Sequence, residues 1–363
     1  MRLVTFGEVM LRLAPEEFLR LAQVLPGRLE ATFGGGEVNV AVSVALQGGE
    51  AAFATVLPDN VLTDAFVQEL RKLKVDPRLV QRSKIGRFGI YFVETGANQR
   101  AGTVTYDRDS SSVSLSPASE YDWEKIFAAA TWFHITGITP ALSANSAAAA
   151  LHAVKFAHER KIPISCDLNF RKKLWRWKAG SSPVELARET MRAIVPSVDL
   201  VIANEEDAEM CLGIKAPESD VEAGELNLEG YGEVARQIAH QFRNVSRVAI
   251  TLRQSISASH NNWGALLYDA ARDAVHTAPT GAGGRYEPYE IRSIVDRVGA
   301  GDSFAAGLIF ALNTPGLDSP ATALAYAVAA SCLKHSIKGD FNYATRGEIE
   351  ALMKGGGSGR VQR

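Results

Sequence analysis

Short runs of β-branched and aromatic residues alternate along the chain with stretches in which apolar positions recur every three or four residues. The runs Leu3 to Phe6, Ala52 to Val56, Trp132 to Thr136, Ile162 to Asp167, Leu200 to Ala203 and Arg247 to Leu252 are largely apolar, the pattern of strands buried on both faces. Between them the helical period runs through Val38 to Leu46, Val61 to Leu73, Ala144 to Glu159, Pro183 to Ile194 and Tyr231 to Phe242, and later through Phe304 to Leu312 and Ala321 to Lys334. This alternation predicts an α/β fold with a mostly parallel sheet covered by helices on both faces. Ligands of such sheets bind beyond the carboxyl ends of the strands.

Two stretches, residues 11–33 and 88–108, break the alternation. They lack a helical period but contain strand-like pieces such as Gly89-Ile90-Tyr91-Phe92-Val93 and Thr103-Val104-Thr105-Tyr106. Two readings stand for them, a small β lid over the site or an ordinary surface excursion. One domain over residues 1–354 with these segments inserted is expected, followed by a flexible tail at 355–363, which is Gly/Ser-rich and then basic.

Composition narrows the function. The 363 residues carry 39 Lys and Arg against 41 Asp and Glu, a formal net charge of -2, and the basic residues are scattered. No electrostatic footprint for nucleic acid follows. No apolar stretch is long enough to span a bilayer, and the start through Leu3-Val4-Thr5-Phe6-Gly7 lacks a leader pattern, so a cytoplasmic protein is expected. Cys166, Cys211 and Cys332 lie too far apart for a zinc knuckle and read as free thiols. Small-molecule chemistry is the default that remains.

The chemistry concentrates in Asp296-Arg297-Val298-Gly299-Ala300-Gly301-Asp302-Ser303-Phe304-Ala305-Ala306-Gly307, just before an apolar helix. Gly299, Ala300 and Gly301 let an anion approach their backbone N–H groups, where the helix also aims its positive end. Asp302 at the edge of that anion hole has two readings. It is a common kind of helix cap, and it is a base placed to take a proton from a hydroxyl attacking a phosphoryl group. A second cluster, Gly34-Gly35-Gly36-Glu37-Val38-Asn39, bends the chain before another helix, where the Asn39 amide suits sugar hydroxyls. Neither a GxGxxG dinucleotide turn nor a P-loop occurs, which disfavours an oxidoreductase.

Taken together, the Gly-Gly segment with its Asn and the Asp-x-Val-Gly-Ala-Gly-Asp segment resemble the two signatures of the ribokinase-like (PfkB) carbohydrate kinases. The resemblance extends from about Leu3 to about Leu352. It implies a three-layer α/β/α fold with a β lid, ATP with Mg2+ as phosphoryl donor, Asp302 as base, and Gly299, Ala300 and Gly301 as anion hole. Lid edges of this family often pair between subunits, so a homo-oligomer is implied.

Charge narrows the sugar. Many neutral-sugar kinases of the family carry an Asp five residues after the glycine of the first strand; the same spacing from Gly7 reaches Arg12 here, a cation in place of an anion. Tyr106 and Arg108 alternate onto one face of a strand, and Arg171 follows the strand that ends in Asp167-Leu168-Asn169-Phe170-Arg171. Arginines with a tyrosine hydroxyl suit a carboxylate. These segments, with Gly7-Glu8-Val9-Met10-Leu11-Arg12-Leu13 and Ile135-Thr136-Gly137-Ile138-Thr139-Pro140-Ala141-Leu142, are similar to those of 2-keto-3-deoxygluconate kinases. The resemblance implies that Tyr106, Arg108 and Arg171 read the carboxylate and that Gly35, Asn39, Tyr91 and Asn169 lie against the sugar, the product being the 6-phosphate. A fructokinase, a 5-keto-2-deoxygluconate kinase and a non-catalytic sugar-binding protein are the alternatives.

On the nucleotide side, Asn204-Glu205-Glu206-Asp207 resembles the family's Asn-x-x-Glu, with a shorter acid whose contact with magnesium would run through water. Thr251-Leu252-Arg253 resembles the family's Thr-Leu-Gly. Either Arg253 assists the phosphates or the polar Gln254 to Trp263 takes a different path. Lys338-Gly339-Asp340 falls where the family builds part of its adenine pocket.

Overall fold

Successive residues of the first strand, β1 (Arg2–Phe6), enter opposite apolar cores, Leu3 one and Val4 the other. The computed structural model describes residues 1–204, 206–215, 227–281 and 283–355. Glu205 and the expected tail from residue 356 onward lie outside them. The other strands are β2 (Met10–Ala14), β3 (Glu30–Gly34), β4 (Glu50–Pro58), β5 (Val75–Asp76), β6 (Val80–Ser83), β7 (Gly89–Glu94), β8 (Thr103–Asp107), β9 (Trp132–Thr136), β10 (Ile164–Asp167), β11 (Leu200–Ala203), β12 (Arg247–Ser257), β13 (His260–Asp269), β14 (Ala274–Ala278) and β15 (Tyr289–Ile291).

The main sheet runs β14-β13-β12-β11-β10-β9-β1-β4-β5, with β15 beside β13 and β6 beside β4. From β12 to β6 every pairing is parallel, and only the β13, β14 and β15 edge is antiparallel. Alternation buries both faces: Trp132, Leu200 and Ile202 join the core under the helices Gly36–Leu46, Val61–Lys72, Ala300–Leu312 and Pro320–Lys334. Phe133, Val201 and Ala203 join the core under Ala144–Glu159, Pro183–Ile194 and Leu228–Gln241. The result is a three-layer α/β/α fold of the ribokinase-like kind. Among the described residues no helix is long and apolar enough to cross a membrane, and Cys166, Cys211 and Cys332 are free thiols.

The antiparallel edge departs from the sequence expectation. β12 does not stop at Leu252 but continues to Ser257 and returns as β13 through Ala258-Ser259, a turn without the Asn-Gly or Gly-X signal that marks hairpins. The polar residues of 254–263 lie on both strands of that hairpin, Ser255 exposed and Asn261 buried. Residues 11–33, read as free of helix, also contain one short helical turn, Leu21–Val24.

A second sheet, β3-β2-β7-β8, joins two antiparallel pairs through the parallel pairing of β2 with β7. One face buries Met10, Ala14, Tyr91 and Val93 in a small cluster of their own. That face closes one side of the cavity described next.

Candidate active site

A cavity of about 390 Å3 lies between the small sheet and the carboxyl ends of the main-sheet strands, and the two glycine-rich segments meet in it. Although 263 residues apart, Asn39 and Asp302 are joined directly: Asn39 Nδ2 donates to Asp302 Oδ2 at 2.6 Å. Asn39 Oδ1 in turn accepts from the Gly35 amide at 3.2 Å, which fixes the orientation of the side-chain amide. Asp302 is therefore not the helix cap. The helix Ala300–Leu312 begins after Gly299 with no side-chain cap, so the bare first turn faces the cavity, and Asp302 sits within that turn.

Burial is the largest influence on Asp302 and raises its carboxyl to about 6, with Asp340 adding to the rise; the Asn39 hydrogen bond and the charges of Arg171 and Lys334 act the other way. The two glycines of the turn differ in purpose. Gly299 has φ +85°, and a Cβ there would lie 2.1 Å from the Asp340 carbonyl oxygen, so only glycine fits. A Cβ on Gly301 would meet nothing within 4 Å, which leaves that backbone open to a ligand.

On the opposite wall, Tyr91 and Tyr106 are directly paired across β7 and β8 with ring centroids 6.1 Å apart, Tyr91 buried and Tyr106 exposed. The Arg108 guanidinium lies 5.2 Å from the Tyr106 ring and is buried against Glu8. Asn169, at φ 38°, turns the chain out of β10, and the exposed Arg171 that follows also lines the cavity. Gly35 lies against Glu8, whose carbonyl oxygen would be 2.2 Å from a Cβ there.

Arg12 is not part of this wall. It is 2% exposed and donates to Asp296 Oδ2 at 2.5 Å and Asp340 Oδ1 at 2.8 Å, two carboxylates from the far end of the chain. The cation at the position where a neutral-sugar kinase would carry Asp thus satisfies buried acids and ties β2 to Asp296 and Asp340. Arg12→Ala leaves both acids buried without their partner and is expected to lower unfolding free energy by about 3–5 kcal/mol, read from urea denaturation followed by circular dichroism.

Of the residues expected to meet the nucleotide, Asn204, Asp207, Thr251 and Arg253 all line the cavity. Asp207 is buried, and its oxygens accept from the Phe170 amide at 3.0 Å and the Asn204 amide at 3.2 Å, so this short acid braces two strand ends. Burial raises both Asp207 and Asp167, and Asp207 and Asp302 push Asp167 further. Arg253 stands on β12 directly opposite Trp263 on β13 and faces the cavity, which places the polar segment in a hairpin beside the site. Lys338 and Gly339 do not line it. Lys338 pairs with Glu30 at 2.5 Å, and the Gly339 amide donates to Asp296 at 3.1 Å. Asn261, Trp263, Arg297 and His335 line the cavity without having stood out in the sequence. They arrive from the hairpin, the segment before the helix Ala300–Leu312 and the end of the helix Pro320–Lys334, which only the tertiary fold brings to the strand ends.

The pfkB family carbohydrate kinase profile matches residues 1–342. The chain is 31% identical over 357 residues to the 2-dehydro-3-deoxygalactonokinase of Haloferax volcanii, covering 98% of each. It is 26% identical over 308 residues to the 2-dehydro-3-deoxygluconokinase of Bacillus subtilis, covering 84% of this chain and 81% of that one. The crystal structure of the 2-dehydro-3-deoxygluconokinase of Thermotoga maritima superposes with a TM-score of 0.86 at 41% identity, over 98% of this chain and 99% of that one. Glycine-rich turn, half-buried carboxylate, sheet topology and relatives converge: the chain belongs to the pfkB family of carbohydrate kinases, phosphotransferases with an alcohol group as acceptor.

Proposed function

We propose that this kinase transfers the γ-phosphoryl group of ATP to the 6-hydroxyl of 2-keto-3-deoxygluconate, giving 2-keto-3-deoxy-6-phosphogluconate. The observation that carries the reading is one cavity whose lining holds Asp302 and an uncapped helix start together with Arg108, Arg171 and two tyrosines. The sugar's carboxylate lies against Tyr106, Arg108 and Arg171, with Gly35, Tyr91 and Asn169 around its carbon chain. Asn39 orients Asp302 through their hydrogen bond. Asp302 removes the proton of the 6-hydroxyl as that oxygen attacks phosphorus, and the amides of Gly299, Ala300 and Gly301 stabilise charge on the transferred group. The small sheet acts as a lid that keeps water from competing.

Asp167 and Asp207 are raised by burial, and Asp207 raises Asp167 further, so a cation entering with the phosphates would relieve them. Magnesium carried on the nucleotide supplies charge neutralisation there. Asn204, Thr251 and Arg253 flank the same end.

Rates of ATP consumption with 2-keto-3-deoxygluconate, its galactonate epimer, 5-keto-2-deoxygluconate and fructose test the assignment. The gluconate is expected to give the highest kcat/KM, and a higher value with fructose would overturn it. Arg108→Ala and Arg171→Ala are each expected to raise KM for the acidic sugar by about 10–100-fold while changing fructose turnover little. Parental KM values in both would remove the carboxylate reading.

The pH profile follows from Asp302. A carboxyl raised to about 6 is protonated below that pH and cannot act as base, so kcat/KM is expected to fall as pH drops through about 6. Asn39→Ala removes a hydrogen bond that favours the ionised form, so its acid limb should move to higher pH. A limb unmoved in Asn39→Ala would separate Asn39 from the base.

A further inference from the structure

A guanidinium is not stably buried without a counter-charge, and Arg108 is only 7% exposed. Its partner is Glu8, 3% exposed, in the crossing from β1 to β2, while Arg108 follows β8 at the far side of the small sheet. Glu8 Oε2 accepts from Arg108 Nε at 2.7 Å and also from Nη2. That contact occupies one edge of the planar guanidinium. The other edge, formed by Nη1 and the second hydrogen of Nη2, has no hydrogen-bond partner among the described residues, and both side chains line the cavity.

The surroundings hold the pair as a unit. Glu8 Oε1 is buried with no partner, so Arg108 is the one group that Glu8 binds through its carboxylate among the described residues. Gly89 leaves the room it needs, since a Cβ there would lie 3.3 Å from Glu8 Oε1 and 3.4 Å from Arg108 Cβ. The Tyr106 ring, 5.2 Å from the guanidinium, limits its movement further.

We propose that Glu8 is a positioning residue that determines specificity for acidic sugars: by gripping one edge of Arg108 it presents the other, two parallel N–H groups, to the substrate's carboxylate. The proposal rests on the carboxylate reading above. Glu8 also cancels the charge of Arg108, so selection by this pair works through geometry more than through net positive charge. The two ideas predict opposite signs. If charge governs, removing the Glu8 charge tightens the acidic sugar; if positioning governs, it loosens it.

The test is steady-state kinetics of the full chain with 2-keto-3-deoxygluconate for the parent, Glu8→Gln, Arg108→Ala and the double variant. Glu8→Gln is expected to raise KM about tenfold with kcat within about threefold of the parent, and to add less than about twofold in the Arg108→Ala background. Glu8→Asp keeps the charge and is expected to recover part of the loss; it carries the same comparison if Glu8→Gln does not fold. An unchanged or lowered KM in Glu8→Gln, or a full effect persisting without Arg108, overturns the proposal. Arg108→Ala with a raised KM beside a silent Glu8→Gln overturns this inference alone, as does a parental KM in Arg108→Ala by itself, whereas parental KM values in both Arg108→Ala and Arg171→Ala overturn the carboxylate reading and this inference with it.

Discussion

Asp302→Asn is expected to lower kcat by about 10²–10⁴-fold while melting at or above the parent's temperature. The two outcomes have one cause. Burial raises the Asp302 carboxyl to about 6, which means that the folded protein holds the neutral form more readily than the unfolded chain does. Above the ordinary carboxyl pKa the unfolded chain ionises first, so this group disfavours folding increasingly up to about pH 6 and by a constant amount beyond it. An amide at residue 302 removes that unfavourable ionisation and keeps an oxygen for the Asn39 Nδ2 hydrogen bond, which spans 2.6 Å in the parent. What it cannot do is accept the proton of an attacking hydroxyl. Turnover measured beside a thermal melt checks both halves, and a variant with most of the parent's kcat would end the assignment of Asp302 as base.

The parts of the fold legible in the sequence are those where one interaction dominates. β9 and β11 and the helices Ala144–Glu159 and Pro183–Ile194 have the boundaries that their apolar patterns predict, because burial on two faces or on one helical stripe leaves little alternative. The β12–β13 hairpin is illegible there because the residues around its turn are largely polar without regard to burial, and the turn lacks a glycine or asparagine. For the site, residue type announces Asp302 and Asn39 but not their contact, since nothing local relates positions 263 apart. Arg12 shows the converse limit. Its charge is plain in the sequence, yet its partners Asp296 and Asp340 lie 284 and 328 residues away, and only the fold decides whether a cation meets a ligand or a buried acid.

Gly299→Ala is the substitution expected to damage both stability and chemistry, and Gly301→Ala separates the two. At Gly299 a methyl group must adopt φ +85° and would lie 2.1 Å from the Asp340 carbonyl oxygen, a backbone atom that no rotamer change can move. Left-handed strain and overpacking together are expected to cost about 2–5 kcal/mol. Relief requires the turn to shift, carrying the amides of Ala300 and Gly301 away from the transferred group, for which a loss of about 10²–10³ in kcat is expected. At Gly301 a methyl group meets no protein atom within 4 Å, so its melting temperature should stay near the parent's. Any loss of turnover in Gly301→Ala then comes from the ligand side alone, because the backbone there lines the cavity and has no packing partner to disturb. Parental kcat in Gly301→Ala would place the phosphoryl group elsewhere in the cavity, and parental stability in Gly299→Ala would mean that the turn tolerates a side chain its geometry excludes.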